Sequence, residues 1–306
     1  MNSAFIFPGQ GSQTIGMGKD LYDNSLVAKE IIGRASEALK IDFTNLLFNP
    51  NEMLEKTEFT QPAIYTVSIA ALELLKENKK ITPKFALGHS LGEFIALYAT
   101  TALSFEDGVK LVNHRGKLMQ NSCKDVEAGM MAVLGLEDEI VEEICQSLQN
   151  QGLKVWPANY NSSGQIVISG IKSDLDTLKP LLEEAGAKRA LVLNMSVASH
   201  SPLLNQAKEP LTDELNSFLK DSFLFPIISN VTAKPYSDKK SAVSLLGKQL
   251  VKPVLYKQSI EQNEDEIDYF IEFGATVLKG LNRRITKKPT YSIVDMKSFE
   301  EFLKFS

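Results

Sequence analysis

The chain has 306 residues, 43% of them hydrophobic and 23% charged, with a net charge of -5. This size suits one core carrying an inserted subdomain, and the composition is that of an ordinary globular protein with no basic surplus for nucleic acid. No stretch approaches the roughly 20 apolar residues of a membrane span, and residues 1–8 lack the basic and then apolar pattern of a secretory signal, so a cytoplasmic protein that binds no membrane is expected.

In chain order, residues 4–8 form a short apolar run ending in Pro8-Gly9, which reads as a buried strand entering a glycine-rich loop. Residues 62–75 carry apolar positions at helical spacing. Residues 84–88 predict a second buried strand, and residues 91–100 and 107–120 predict helices. From about Gly129 the rhythm changes: a strand at 131–136, a helix at 138–149, strands at 153–159 and 165–169 around the turn-rich Asn161-Ser162-Ser163-Gly164, a helix at 174–185 stopped at Gly186, and a strand at 190–195. This β-α-β-β-α-β order is the ferredoxin-like pattern. It predicts an inserted small subdomain over residues 125–197, with 1–124 and 198–306 forming the large one. The remainder predicts a helix at 203–219, strands at 225–231 and 268–272, a helix at 277–285 and a strand at 290–294. The fold class is therefore α/β, a mostly parallel sheet covered by helices, interrupted by the smaller unit.

Gly88-His89-Ser90-Leu91-Gly92 matches G-x-S-x-G between a predicted strand and a predicted helix. Glycines there permit a sharp turn that lifts the serine to the helix N-terminus, where the Leu91 N–H and the helix dipole can bind an oxyanion. The alternative is a glycine-rich turn with an incidental serine. A serine hydroxyl needs a general base. The chain has three histidines, His89, His114 and His200. His89 adjoins the serine and should point elsewhere, and His114 lies within a predicted helix. His200 sits in a loop returning from the small subdomain and is favoured by elimination, with a helix-capping role as its alternative. Spacing selects no acid to orient it.

Pro8-Gly9-Gln10-Gly11-Ser12-Gln13 is neither a P-loop nor a dinucleotide fingerprint. It is a tight turn, or it supplies a second oxyanion N–H through Gln10. Arg115 within an apolar helix needs a partner, either an internal carboxylate or the carboxylate of a substrate held bidentately. Lys279, Arg283, Arg284, Lys287 and Lys288 form a basic region, either a solvated helix face or a contact for an acidic partner. Cys123 and Cys145 form neither a CxxC pair nor a disulfide framework, as suits a reducing compartment, and no zinc-site spacing occurs, so no metal is expected.

Together these motifs resemble the malonyl-CoA:acyl carrier protein transacylases of bacterial fatty acid synthesis and their polyketide synthase relatives. The matching pieces include Phe7-Pro8-Gly9-Gln10-Gly11-Ser12-Gln13, Thr60-Gln61-Pro62-Ala63, Gly88-His89-Ser90-Leu91-Gly92-Glu93, Arg115-Gly116-Lys117-Leu118-Met119-Gln120, Ser199-His200 and Gln249-Leu250. The resemblance implies an α/β-hydrolase-like large subdomain, Ser90 as nucleophile, His200 as base, and Gln249 supplying the backbone carbonyl that orients His200. It also implies Gln10 and Leu91 as oxyanion donors and Arg115 on the malonyl carboxylate. It implies a monomer with no cofactor of its own, whose partners are malonyl-CoA and acyl carrier protein, the latter carrying the phosphopantetheine. Departures from the pattern are Ser163, Ala198 and Ala275-Thr276. Val197-Ala198-Ser199-His200 comes near a motif of methylmalonyl-selecting relatives, whereas Leu91 points to malonyl. The same serine and histidine could instead serve a hydrolase, and a non-catalytic carrier-binding subunit is the reading from another class.

Overall fold

A computed structural model describes residues 1–305. Its elements run β1 (Ser3–Phe7), α1 (Lys19–Asn24), α2 (Leu26–Leu39), α3 (Phe43–Phe48), α4 (Thr57–Asn78), β2 (Phe85–Gly88), α5 (Leu91–Ala99) and α6 (Phe105–Ser122). Then come β3 (Ala128–Leu134), α7 (Asp138–Asn150), β4 (Val155–Ser162), β5 (Gln165–Ile171), α8 (Lys172–Glu184) and β6 (Arg189–Val192). The chain closes with α9 (Asn205–Phe218), β7 (Ile227–Ile228), β8 (Pro235–Tyr236), α10 (Lys239–Gln249), α11 (Tyr256–Glu261), β9 (Tyr269–Phe273), α12 (Val277–Asn282), β10 (Thr290–Ile293) and α13 (Met296–Phe305).

The six-stranded sheet has the order β10-β9-β1-β2-β7-β8. Every pair in it is parallel except β7–β8. The unbroken apolar runs of β1 and β2 follow from helices covering both faces: every residue of the two strands is buried. The four-stranded sheet, β4-β5-β3-β6, is antiparallel throughout. Its strands and the helices α7 and α8 give the β-α-β-β-α-β order read from the sequence, with its own apolar core around Met131, Val141, Ile168 and Leu178. The two sheets meet where β4 bridges the loop after α10: Val254 N–H donates to Ala158 O (2.8 Å) and Tyr160 N–H to Val254 O (2.9 Å).

Several expectations need correction. The helix expected from Pro62 begins at Thr57, leaving Pro62 inside it. Proline has no N–H for the carbonyl of Glu58, one turn back. The Asn113 side chain of α6 supplies the missing donor to Glu58 O at 2.7 Å. The strand expected at 225–231 is only the two residues of β7, because the chain turns away there. Ser229 N–H closes a turn on Lys234 O (3.0 Å), and Asn230 N–H donates to the Glu93 carboxylate (3.1 Å). The strand expected at 190–195 ends at Val192, where Met195 N–H folds back onto Leu193 O (2.8 Å). Among the described residues no helix is long and apolar enough to cross a membrane.

Candidate active site

β2 ends at Gly88 and α5 begins at Leu91, so His89 and Ser90 form the turn between them. Ser90 takes φ 54° and ψ -104°, a strained conformation that must be held from outside. Asn230 holds it: its Oδ1 accepts from Ser90 N–H (2.8 Å) and its Nδ2 donates to Gly88 O (2.6 Å). Gly92 lets α5 sit against β1, since a Cβ there would lie 2.0 Å from Phe7 O. Gly9 does the same for the first loop, where a Cβ would lie 2.4 Å from His89 O. That close approach places Gln10 on the same cavity as Ser90. Leu91 opens α5, so its N–H has no acceptor within the helix.

His200 Nε2 lies 2.8 Å from Ser90 Oγ, and His200 Nδ1 lies 2.7 Å from Gln249 O. A carbonyl only accepts, so Nδ1 carries the proton and Nε2 presents its lone pair to the serine hydroxyl. His200, with φ 59°, belongs to a loop tied down by Ser169 Oγ donating to Ser199 O and by Ser201 Oγ donating to Ala198 O (2.8 Å). Burial first, and Arg115 second, push the His200 imidazole down to about 3, against the pull of the Gln249 carbonyl. The imidazole is therefore neutral at physiological pH.

Arg115 is 1% exposed and its partners are three neutral oxygens. Nη1 donates to Gln61 Oε1 (2.9 Å), and Nη2 donates to Gln249 Oε1 (3.0 Å) and Ser90 Oγ (3.1 Å). The guanidinium also lies over the Phe94 ring, 5.0 Å from its centroid. Burial pushes it down to about 10, with the charge of Glu93 pulling the other way. The internal carboxylate partner left open by the sequence is not what Arg115 bonds.

Glu93, fully buried on α5, is pushed up to about 7 by burial, offset by hydrogen bonds from Asn230 N–H, Gln249 and Tyr236 and by the charge of Arg115. The two shifts act oppositely on stability. The depressed imidazole favours the fold above 6.5, and that contribution is lost as pH falls toward 3. The raised carboxyl favours it at low pH, and that contribution is lost as pH rises from 4.5 through about 7.

A cavity of about 250 Å³ opens at Ser90. Gln10, Gln61, Leu91, Arg115 and His200 line its polar side, while Met130, Ala132, Val167, Leu193 and Met195 of the second sheet and its exit face it as an apolar wall. The expected residues Ser90, His200, Arg115, Gln10 and Leu91 thus converge on one space, with Gln249 buried behind them. Of the two other histidines, His114 lies away from the cavity and pairs with Glu214 (2.8 Å), whereas His89, expected to point elsewhere, lines the cavity beside Ser90 but turns its Nε2 to Asn161 Oδ1 (2.7 Å) rather than to the serine hydroxyl. Asn230, Gln61 and Glu93 were not singled out. Glu93 and Gln61 stand inside quoted motifs, but nothing in the sequence pattern marks Asn230.

A polar floor holding one cation and a serine–imidazole pair, under an apolar wall, suits a short acyl chain with an anionic end. The acyl transferase domain family matches residues 4–296. The malonyl CoA-acyl carrier protein transacylase of Staphylococcus aureus (strain MRSA252) is 40% identical over 98% of both chains. The crystal structure of malonyl-CoA:acyl carrier protein transacylase from Helicobacter pylori superposes with a TM-score of 0.96 at 47% identity, covering 100% of this chain and 98% of that one. A malonyl-transacylase solved in complex with the holo acyl carrier protein of a type II polyketide synthase also gives 0.96, at 34% identity over 100% of both chains.

Proposed function

This chain belongs to the acyl transferase domain family and within it to the malonyl-CoA:acyl carrier protein transacylases, and from that premise we propose how its residues move a malonyl group from coenzyme A to the phosphopantetheine thiol of acyl carrier protein. The observation that carries the reading is the relay from Ser90 Oγ through His200 to Gln249 O, with contacts of 2.8 and 2.7 Å. His200 Nε2 takes the Ser90 proton as Oγ attacks the thioester carbonyl. The N–H groups of Gln10 and Leu91 receive the developing oxyanion. The carbon–sulfur bond breaks and the imidazolium returns its proton to the departing CoA sulfur. The carrier thiol then gives its proton to His200 and attacks the malonyl-serine ester, restoring Ser90 O–H. Arg115 holds the malonyl carboxylate in both halves. Intact-mass measurement tests this: one malonyl group should appear on the protein with malonyl-CoA and vanish on adding holo carrier protein. An adduct lost equally fast without the carrier would favour hydrolysis.

A neutral base predicts a pH profile. Labelling of Ser90 by a carboxylate-free organophosphonate should hold its rate as pH falls through 6.5, because His200 stays unprotonated there. An inflection at the ordinary imidazole value would refute the assignment.

The basic C-terminal region would suit an acidic surface on the carrier protein. Arg284 Nη1 approaches Gln165 Oε1 (3.5 Å), and Gln165 lines the Ser90 cavity. Arg284 also shares a surface groove with Lys188 and Arg189. The double reversal Arg283→Glu/Arg284→Glu should raise the carrier-protein KM about tenfold, while organophosphonate labelling of Ser90 continues. An unchanged KM would leave these residues a solvated surface.

A further inference from the structure

Gln249 touches the nucleophile Ser90, the base His200 and Arg115 of the proposed chemistry. Its backbone oxygen accepts from His200 Nδ1, its Oε1 accepts from Arg115 Nη2 (3.0 Å), and its Nε2 donates to Ser90 O (3.1 Å). An amide can do this in only one of its two orientations. Turned over, its NH₂ would face the N–H of Arg115, donor against donor, and its oxygen would face the Ser90 carbonyl. Arg115 has Gln61 on Nη1 and Gln249 on Nη2, so a flipped Gln249 removes one of its two amide anchors.

What fixes the amide lies deeper. Glu93 Oε2 accepts from Gln249 Nε2 at 2.7 Å, closer than Asn230 Oδ1 at 3.2 Å or Ser90 O. The same Oε2 accepts from Asn230 N–H (3.1 Å), and Oε1 accepts from the Tyr236 hydroxyl (3.0 Å). Resting on the reading that Arg115 takes the acyl carboxylate, we propose that Glu93 is a positioning residue for acyl selectivity, whose carboxyl oxygen locks the Gln249 amide with its NH₂ inward so that Oε1 aims Arg115 at the acyl group on Ser90. A carboxyl that merely ties α5 to the β7–β8 turn would affect every acyl group alike. An orienting one acts on carboxylated acyl groups.

Two substitutions separate these roles. In Glu93→Gln, one orientation keeps the acceptor that Gln249 uses: the amide oxygen accepts from Asn230 N–H and Gln249 Nε2, and the NH₂ faces the Tyr236 hydroxyl, which accepts from it only by turning its own hydrogen away. Glu93→Met offers no acceptor at all. The ratio of kcat/KM for malonyl against acetyl transfer, from the two CoA thioesters to holo carrier protein, is the readout. Glu93→Met should lower that ratio about tenfold, the scale of a charge-assisted hydrogen bond, mainly through the KM for malonyl-CoA, while Glu93→Gln should stay within about threefold of the parent. A ratio unchanged in Glu93→Met, however far both rates fall, overturns the proposal. So does a Glu93→Gln variant that loses the ratio as fully, because charge rather than amide orientation would then govern it. If Glu93→Met does not fold, Glu93→Asp withdraws the carboxyl by one methylene and should shift the ratio in the same direction; no shift again overturns the proposal. Arg115→Ala run alongside separates the premise from the inference: a ratio it leaves intact sinks the carboxylate role of Arg115, whereas a ratio that only Arg115→Ala destroys sinks the role of Glu93 alone.

Discussion

Ser90→Ala and His200→Ala should each lower malonyl transfer by about 10³-fold or more, and the double variant should be little worse than either. Non-additivity is the informative part. Ser90 Oγ and His200 Nε2 share one hydrogen bond of 2.8 Å, so removing either end removes the same proton transfer. Ser90→Ala deletes the atom that forms the ester and should abolish the malonyl adduct in an intact-mass experiment. His200→Ala keeps that atom but leaves it an un-ionised alcohol with no acceptor for its proton, so the adduct should form slowly. Organophosphonate labelling should follow the same order. Two losses that multiplied in the double variant would mean that serine and histidine act independently, and the relay would have to be given up. The fold should survive in both variants. The strained turn is held by Asn230 and Gln249 through the backbone of Gly88 and Ser90, not through the serine hydroxyl.

The local chemistry of this site is legible in the sequence because it is encoded in contiguous residues. A strand, two glycines around His89-Ser90 and a following helix define the turn. The β-α-β-β-α-β order of the second sheet follows from period alone. What the sequence hides is what distant segments do for one another. Asn230 lies in an apolar stretch that reads as a strand, yet its side chain closes the serine turn from 140 residues away. Glu93 reads as an ordinary acid in the first turn of a helix, and only the packing shows it fully buried with donors from Asn230, Tyr236 and Gln249. The sequence pattern does not disclose the helices between residues 19 and 48, nor α10, α11 and α13. Of these, α2, α3 and α10 are capped by single side chains, Ser25, Asp42 and Asp238, rather than by longer motifs, and α1 follows Gly18 with no side-chain cap at all. The orienting group for His200 is a backbone oxygen, and no side-chain pattern can announce a backbone oxygen.

Arg115→Ala should cost malonyl transfer on the order of 10²-fold while leaving acetyl transfer within a few-fold, as expected when a buried carboxylate loses a charged partner. The guanidinium stands at the reacting atom, with Nη2 3.1 Å from Ser90 Oγ. A malonyl group esterified to Oγ has its free carboxylate one methylene beyond the ester carbonyl, short enough to fold back onto the same guanidinium. Its neutral partners, Gln61 and Gln249, orient the fork without neutralising it, so the positive charge remains available in a site that burial has already desolvated. An acetyl group brings no charge to this pairing and has nothing to lose when Arg115 goes. Arg115→Lys should recover little, because a single ammonium cannot hold Gln61, Gln249 and a bidentate carboxylate with the geometry of a planar fork. The measurement is kcat/KM for the two CoA thioesters with holo carrier protein as acceptor. Equal losses on both would make Arg115 a support for Ser90, and selectivity would then have to reside in the apolar wall of Met130, Val167 and Leu193.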